Sequence, residues 1–354
     1  MDWFALFLIQ RIYQSPLLLS IYKAYKYIIH WSTNSSEIYR ICHATAKQLL
    51  PPVPPNVQDD DAIPLLDRSV SALEQLDERL PPEVVLRIDR SIHHSTKLQA
   101  ERDQMQSSDV SINALTHAIF TKKHFPGSMS SPEGQVLYVC LARIVDTWRL
   151  TREVNDQAGT KYDSTNDHHE EKLLQLWQHL MPATKLEHRL TKQWTDIGFQ
   201  GQDPATDFRG MGIQGLDDML YYCKTYPDSA QRTFLTSQHP VSWYPFAIVG
   251  INISHFTLQI LRNRQIQYYL FKFGIEHDAY QDLYCFLFHR FNDYWTSFDN
   301  PRVTVMDFER VFGQFKQVIQ LQLFQLVPLY FVLRDNSKEW LDQEDQTTST
   351  LRSR

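Results

Sequence analysis

Apolar residues recur at three- and four-residue spacing along most of this chain, while period-two alternation almost never persists. The pattern predicts an all-α protein. Residues 36–50 place Ile38, Ile41, Cys42, Ala46 and Leu49 on one face, and Pro51 stops the helix. Residues 65–106 alternate charged and apolar groups at helical spacing around a break at Pro81-Pro82. Their apolar faces are thin, which predicts an appended arm rather than a core. The stretch 131–150 opens with Ser131 and Pro132 and is apolar nearly all round, so it should be a buried helix. From Glu170 to about Leu333 the pattern is dense, with helices expected over 170–181, 185–194, 215–226, 229–237, 243–263, 278–297 and 304–325. Two interruptions read as linkers, the proline- and acid-rich 51–64 and the polar 155–169. The last twenty residues, 335–354, are polar and should fray.

Composition narrows the picture. The chain has 354 residues, 43% hydrophobic and 13% aromatic, enough for two domains or one domain with a substantial extension, and too apolar for general disorder. A net charge of −6 and a pI near 6.2 argue against nucleic acid as a partner. Cys42, Cys140, Cys223 and Cys285 lie far apart with no CxxC spacing, which fits buried thiols in a reducing compartment rather than a disulfide framework or zinc site. The first fifty residues run against the whole. They carry five Lys/Arg and two acids, a net of +3 that leaves −9 for the remainder of the −6 total. Eight aromatics fall between Trp3 and Trp31. The start lacks the basic region and small-residue cleavage site of a secretory signal, and Arg11 and Pro16 interrupt any spanning helix. Residues 2–30 therefore form one or two apolar helices, either docked on the protein or lying against a membrane surface. The segments 243–261 and 317–333 are apolar enough to resemble spans, but Pro245, Asn252, His255, Gln259 and four glutamines make them buried helices of a globular domain instead.

Five of only eleven glycines, Gly198, Gly201, Gly210, Gly212 and Gly215, crowd into IGFQGQDPATDFRGMGIQG. Glycine is needed where backbone must approach another group or adopt positive φ, so this window is a shaped loop joining two helices. Gly210–Gly215 spells GxGxxG, but no hydrophobic strand precedes it and helices follow, which excludes a dinucleotide site. His168-His169-Glu170-Glu171 lacks the spacing that puts two metal ligands on one face, and His93-His94 is similar. There is no P-loop, nucleophile elbow or kinase signature, and no metal site or cofactor is expected. Arg209 remains. Its guanidinium, carried on a glycine-flanked turn, either pairs with Asp203 or Asp207 and staples the loop, or is presented outward to meet phosphoryl charge.

At this window the chain resembles the ELMO domain of the ELMO domain-containing (ELMOD) proteins. The resemblance runs over roughly 168–333 and is strongest from Thr191 to Tyr222, in WxxIGFQGxxPxTDFRGxGxxGL. It implies an all-α ELMO domain with an N-terminal helical extension. The chain then divides into apolar, basic helices at 1–50, a linker and helical arm at 51–110, extension helices and a polar linker at 111–167, the ELMO domain at 168–333, and a tail at 334–354. The resemblance further implies a GTPase-activating protein for GTP-bound ARF or ARF-like small GTPases, with no catalytic centre of its own. The motif arginine, here Arg209, would be supplied in trans. Trp194, Ile197, Gly198, Phe199, Gln200, Gly201, Pro204, Thr206, Asp207, Phe208, Gly210 and Gly212 match the family pattern and would shape the loop or meet the partner. Gln214 departs from it, because the family has an apolar residue there, and this bears on the packing beyond Gly212. Related ELMO proteins are non-catalytic scaffolds in exchange-factor complexes, the alternative role. A cytoplasmic protein peripheral to an intracellular membrane, touching it through residues 1–31, is the expected location.

Overall fold

Side-chain oxygens placed just ahead of apolar runs start several of the helices. In the computed structural model, which describes residues 8, 11–13, 15–50 and 70–324, Ser15, Ser36, Ser111 and Asn166 each accept a backbone N–H from the first turn that follows. The helices are α1 (Pro16–Thr33), α2 (Glu37–Leu49), α3 (Val70–Arg79), α4 (Pro82–His93), α5 (Gln99–Met105), α6 (Ile112–Lys122), α7 (Pro132–Gly159), α8 (Asp167–Leu180), α9 (Gly212–Thr225), α10 (Pro227–Ser237), α11 (Phe246–Arg262), α12 (Gln267–Phe273), α13 (His277–Thr296) and α14 (Phe308–Phe324). Short 3₁₀ turns occupy Thr96–Leu98, Lys192–Ile197, Pro204–Gly210 and Val305–Asp307. No strand occurs among the described residues, so the fold is all-α. The expected linker at 51–64, the tail at 335–354 and the end of the 317–333 segment lie outside the described residues.

The chain forms two compact units, Met1–Asp156 with Leu258–Ala279, and Gln157–Thr257 with Tyr280–Arg354. In the first, α7 is buried nearly all round, through Val136, Leu137, Val139, Cys140, Leu141, Ile144 and Val145. Around it pack α2 and the helices expected to be an appended arm. That expectation fails. Leu76, Leu80, Val85, Ile88, Ile92, Leu98 and Met105 all belong to one continuous core. The apolar stripe of α4 looks thin, yet seven of its twelve residues are buried, including Asp89, which pairs with Arg264 at 2.6 Å. Arg264 also lies over the Trp148 ring, 4.3 Å from its centroid, so a charged position reads as polar in sequence while serving an interior contact.

In the second unit, α8, α9, α11, α13 and α14 bury a core rich in aromatics. Phe291 meets Phe312 and Phe315 edge-on at 5.6 and 5.4 Å. The first stretch that resembles a span is interior, with Phe246, Ala247, Val249 and Ile253 of α11 fully buried, whereas the described part of the second, in α14, buries Ile319 and Leu323 but exposes Val318 and Leu321. Among the described residues no helix is long and apolar enough to cross a membrane. Cys42, Cys140, Cys223 and Cys285 are buried free thiols.

Three boundaries differ from the sequence pattern. The helix expected to end at 150 continues as α7 to Gly159, because Val154 is fully buried and no proline intervenes. Residues 185–191 are not helical, and 192–194 open the 3₁₀ turn Lys192–Ile197 rather than close an α-helix. Glu187 N–H donates to Gln193 Oε1, Gln193 Nε2 donates to Lys185 O, and Trp194 Nε1 donates to Arg189 O, so side chains take the backbone partners a helix would use. The helix α12 is too short for its period to repeat twice, and its periodicity gives no signal.

Candidate functional site

The glycine-rich loop is built from beneath by aromatic rings. Trp194 is fully buried and meets Trp177 edge-on at 5.4 Å and Phe199 at 5.9 Å. Phe199 packs on Phe208 at 5.6 Å, and Phe208 stacks on Tyr162 at 5.3 Å. Edge-to-face contacts of this kind fix ring orientation as well as burying area. Ile197 and Pro204 complete the floor. Two glycines let this floor close. Gly198 sits at φ +89, and a Cβ there would lie 2.3 Å from Phe246 N and 2.6 Å from the Pro245 carbonyl carbon. Gly212, at φ +51, would drive a Cβ to 2.2 Å from Thr160 O. The residues expected to form a linker, 155–169, thus supply both the carbonyls that receive α9 and the ring under Phe208. Ile213 N–H donates to Thr160 O at 2.9 Å.

Arg189 is the residue that the sequence pattern does not single out. It pairs with Glu170 and with Asp203, the latter at 3.0 Å, and its guanidinium lies 5.9 Å from the Tyr162 ring centroid. Asp203 in turn accepts Ala205 N–H and starts the Pro204–Gly210 turn. A basic residue set between the acids Glu170 and Asp203 is the only hint in the sequence. Replacing Arg189 with Met leaves two half-buried carboxylates unpaired and is expected to cost about 1–2 kcal/mol, between exposed and buried pairs. Chemical denaturation measures this loss, and an unchanged midpoint would remove Arg189 from the support of the loop.

With the acids so engaged, Arg209 is not a staple. Asp203 is taken by Arg189, and Asp207 accepts Gln200 N–H at 2.9 Å. Burial raises the Asp207 carboxyl above its ordinary range, and the Gln200 N–H and the Arg209 charge offset this only in part. Arg209 is exposed and uses Nε alone, donating to Thr206 O at 2.7 Å. No carboxylate among the described residues lies within ion-pairing distance of it. Both terminal nitrogens are without a partner among the described residues. In the same loop, Gln200, Thr206 and Gly210 are exposed and Gly201 is half-buried. A Cβ at Gly201 or Gly210 would meet nothing within 4 Å. The matched residues therefore divide: Trp194, Ile197, Gly198, Phe199, Pro204, Phe208 and Gly212 are buried and build the loop, Asp207 holds Gln200 N–H, and Gln200, Thr206 and Gly210 are exposed with Gly201 half-buried.

Beyond Gly212 the departure at Gln214 has a specific partner. Gln214 is fully buried, and its Nε2 donates to Asp218 Oδ1 at 2.7 Å. Burial pushes the Asp218 pKa up to about 7, and the polar groups of Ser254, Gln214 and Gln281 offset it only partly. A carboxyl whose folded pKa is raised contributes its stability fully below the unfolded value near 4. That contribution is lost as pH rises through 7. Asn at 218 keeps the shape and the acceptor while removing the ionisation. Asp218→Asn is expected to gain several degrees in Tm relative to the wild type between pH 5 and pH 8. A difference in Tm that is flat with pH would show that Asp218 does not titrate in this range.

A helical domain organised around a buried aromatic floor, with an outward arginine on a TDFRG turn, defines the class. The model of the ELMO/CED-12 family matches residues 152–312. The chain is 40% identical over 161 residues to ELMO domain-containing protein 2 of Mus musculus, covering 44% of this chain and 54% of that protein. It is 32% identical over 267 residues to human ELMO domain-containing protein 1, covering 66% and 79%. With ELMO domain-containing protein B of Dictyostelium discoideum it shares 31% identity over 300 residues, 84% of this chain and 94% of that one. The aligned part thus spans little more than half of the mouse protein. The chain belongs to the ELMO domain-containing family.

Proposed function

We propose that this protein is a GTPase-activating protein for a GTP-bound small GTPase of the ARF or ARF-like group, acting through Arg209 in trans. The observation that carries this reading is an exposed guanidinium whose Nη groups have no partner among the described residues, held on a turn that is itself fixed from below. Phosphoryl transfer asks little covalent chemistry of a protein and much placement of positive charge against the phosphate oxygens. Arg209 keeps its Nε–H on Thr206 O, so the fork is already aimed. The terminal N–H groups then donate to the β/γ-phosphate oxygens as the bond to the leaving group breaks. Preorganisation matters here because the donors need no rearrangement when charge develops. The bare backbone at Gly201 and Gly210 supports the same reading, since this chain's own packing does not require glycine there and a closely approaching partner does.

The test is single-turnover GTP hydrolysis by a panel of purified ARF and ARF-like GTPases, with and without the full chain. Acceleration of at least one of them supports the proposal. Binding to GTP-loaded GTPases without acceleration would assign the scaffold role instead.

A further inference from the structure

Surface helices of a globular domain turn apolar residues inward, and α1 does the reverse. Leu17, Ile21, Tyr25, Ile28 and Trp31 are exposed, Trp31 at 81%, and no residue of the helix is buried. At 100° per residue these side chains share one stripe, with Leu18 at its edge, running for about 21 Å. The stripe contains no charge. The opposite face of α1 is committed to its own unit: Tyr22 and Lys26 both reach Glu37, Lys26 at 2.9 Å, and Ser91 donates to the same carboxylate at 2.7 Å. Burial pushes the Glu37 carboxyl up, but Lys26 and the two hydroxyls outweigh it and hold the group below its ordinary range. The polar face is thus the docked one, and the apolar face is left to solvent. A contiguous apolar patch of this kind marks an interaction surface.

We propose that this face of α1 seats the protein on an anionic lipid surface. Charge selects the occupant. The helix carries no acid of its own; Lys26 is spent on Glu37 but Lys23 is exposed, and the helix belongs to a segment of net +3 in a chain that is otherwise −9. The end of the protein that an anionic surface attracts is the end that bares the apolar stripe. Tyr25, Tyr27 and Trp31 add amphipathic rings of the type that rest at headgroup level. A single convex helix face needs no shaped counterpart, which suits a fluid surface better than a protein groove. These residues are separate from the arginine loop, so the two proposals stand or fall independently.

The experiment is flotation of the full chain with phosphatidylcholine vesicles and with phosphatidylcholine–phosphatidylserine vesicles. The wild type is expected to float with the mixed vesicles, and the double variant Ile21→Glu/Ile28→Glu to partition about tenfold less or worse. Lys23→Glu should weaken binding to the mixed vesicles alone. Because Ile21 and Ile28 already face water, the double variant should keep the wild-type Tm. Failure of the wild type to float, or equal flotation of the double variant, would overturn the proposal. So would a large fall in Tm, which means the stripe is covered by the protein's own chain. A wild-type dimer that the double variant converts to monomer, with no flotation of either, overturns it in favour of a second copy.

Discussion

Arg209→Ala is expected to remove stimulated GTP hydrolysis by about 10³–10⁵-fold, the effect of an arginine supplied in trans to a GTPase. That corresponds to roughly 4–7 kcal/mol of transition-state stabilisation. The folded state should hardly notice. Arg209 is exposed and its one hydrogen bond among the described residues, to Thr206 O, is worth about 0.5–1 kcal/mol net. Activity and stability are therefore separable at this position, which is unusual for a residue so close to a buried aromatic floor. Arg209→Lys discriminates further. An ammonium keeps the charge but lacks the planar fork that meets two oxygens while a third N–H stays on Thr206. Lysine should recover a small part of the rate at most. Single-turnover rates with circular dichroism in parallel read both quantities. If the alanine variant accelerates hydrolysis as the wild type does, Arg209 is structural and the chain acts through some other group or not at all.

The second large effect lies in the backbone. Gly198→Ala and Gly212→Ala should each destabilise the protein by about 3–5 kcal/mol, at the upper end for single substitutions. Both positions combine positive φ with a close approach that only backbone atoms make: Phe246 N at 2.3 Å from a Cβ on Gly198, and Thr160 O at 2.2 Å from one on Gly212. Neither neighbour is the end of a flexible side chain, so relief requires moving α11 or the end of α7. Gly201→Ala and Gly210→Ala should shift stability by about 0.5 kcal/mol or less, because nothing lies within 4 Å of either Cβ. Denaturant midpoints for the four variants test the contrast. Equal behaviour across the set would show that the loop is softer than its contacts imply.

The helical nature of the chain was legible wherever an apolar face repeats. α2, α7, α8, α9, α10, α11, α13 and α14 follow from spacing, and Pro132 marks the start of α7 as expected. The glycine cluster announced an ordered loop, and within it Arg209 was the one group with chemistry to offer. What spacing missed has a common cause. Residues 185–194 carry a helical pattern, but Gln193 and Trp194 hydrogen-bond to nearby backbone and displace it. Arg189 and Tyr162 read as surface polar residues, because their partners Glu170, Asp203 and Phe208 are distant in sequence. The helices over 70–105 looked too weakly apolar for a core. They became one because a narrow stripe is enough when helices pack on both of its flanks.

From the order of residues alone came the all-α class, the family motif, the identity of the one arginine worth weighing, and the charge contrast between the first fifty positions and the rest. Those are properties of local spacing and composition. The choice between a stapled and a presented Arg209 was decided only in three dimensions. Asp203 and Asp207 both lie within six residues of it in sequence, and Arg189 and the Gln200 N–H occupy them. In the same way, only the docking of Tyr22 and Lys26 onto Glu37 determined which side of α1 faces water. A side chain's free partners depend on what every competing group has already bound, and that competition is settled by packing.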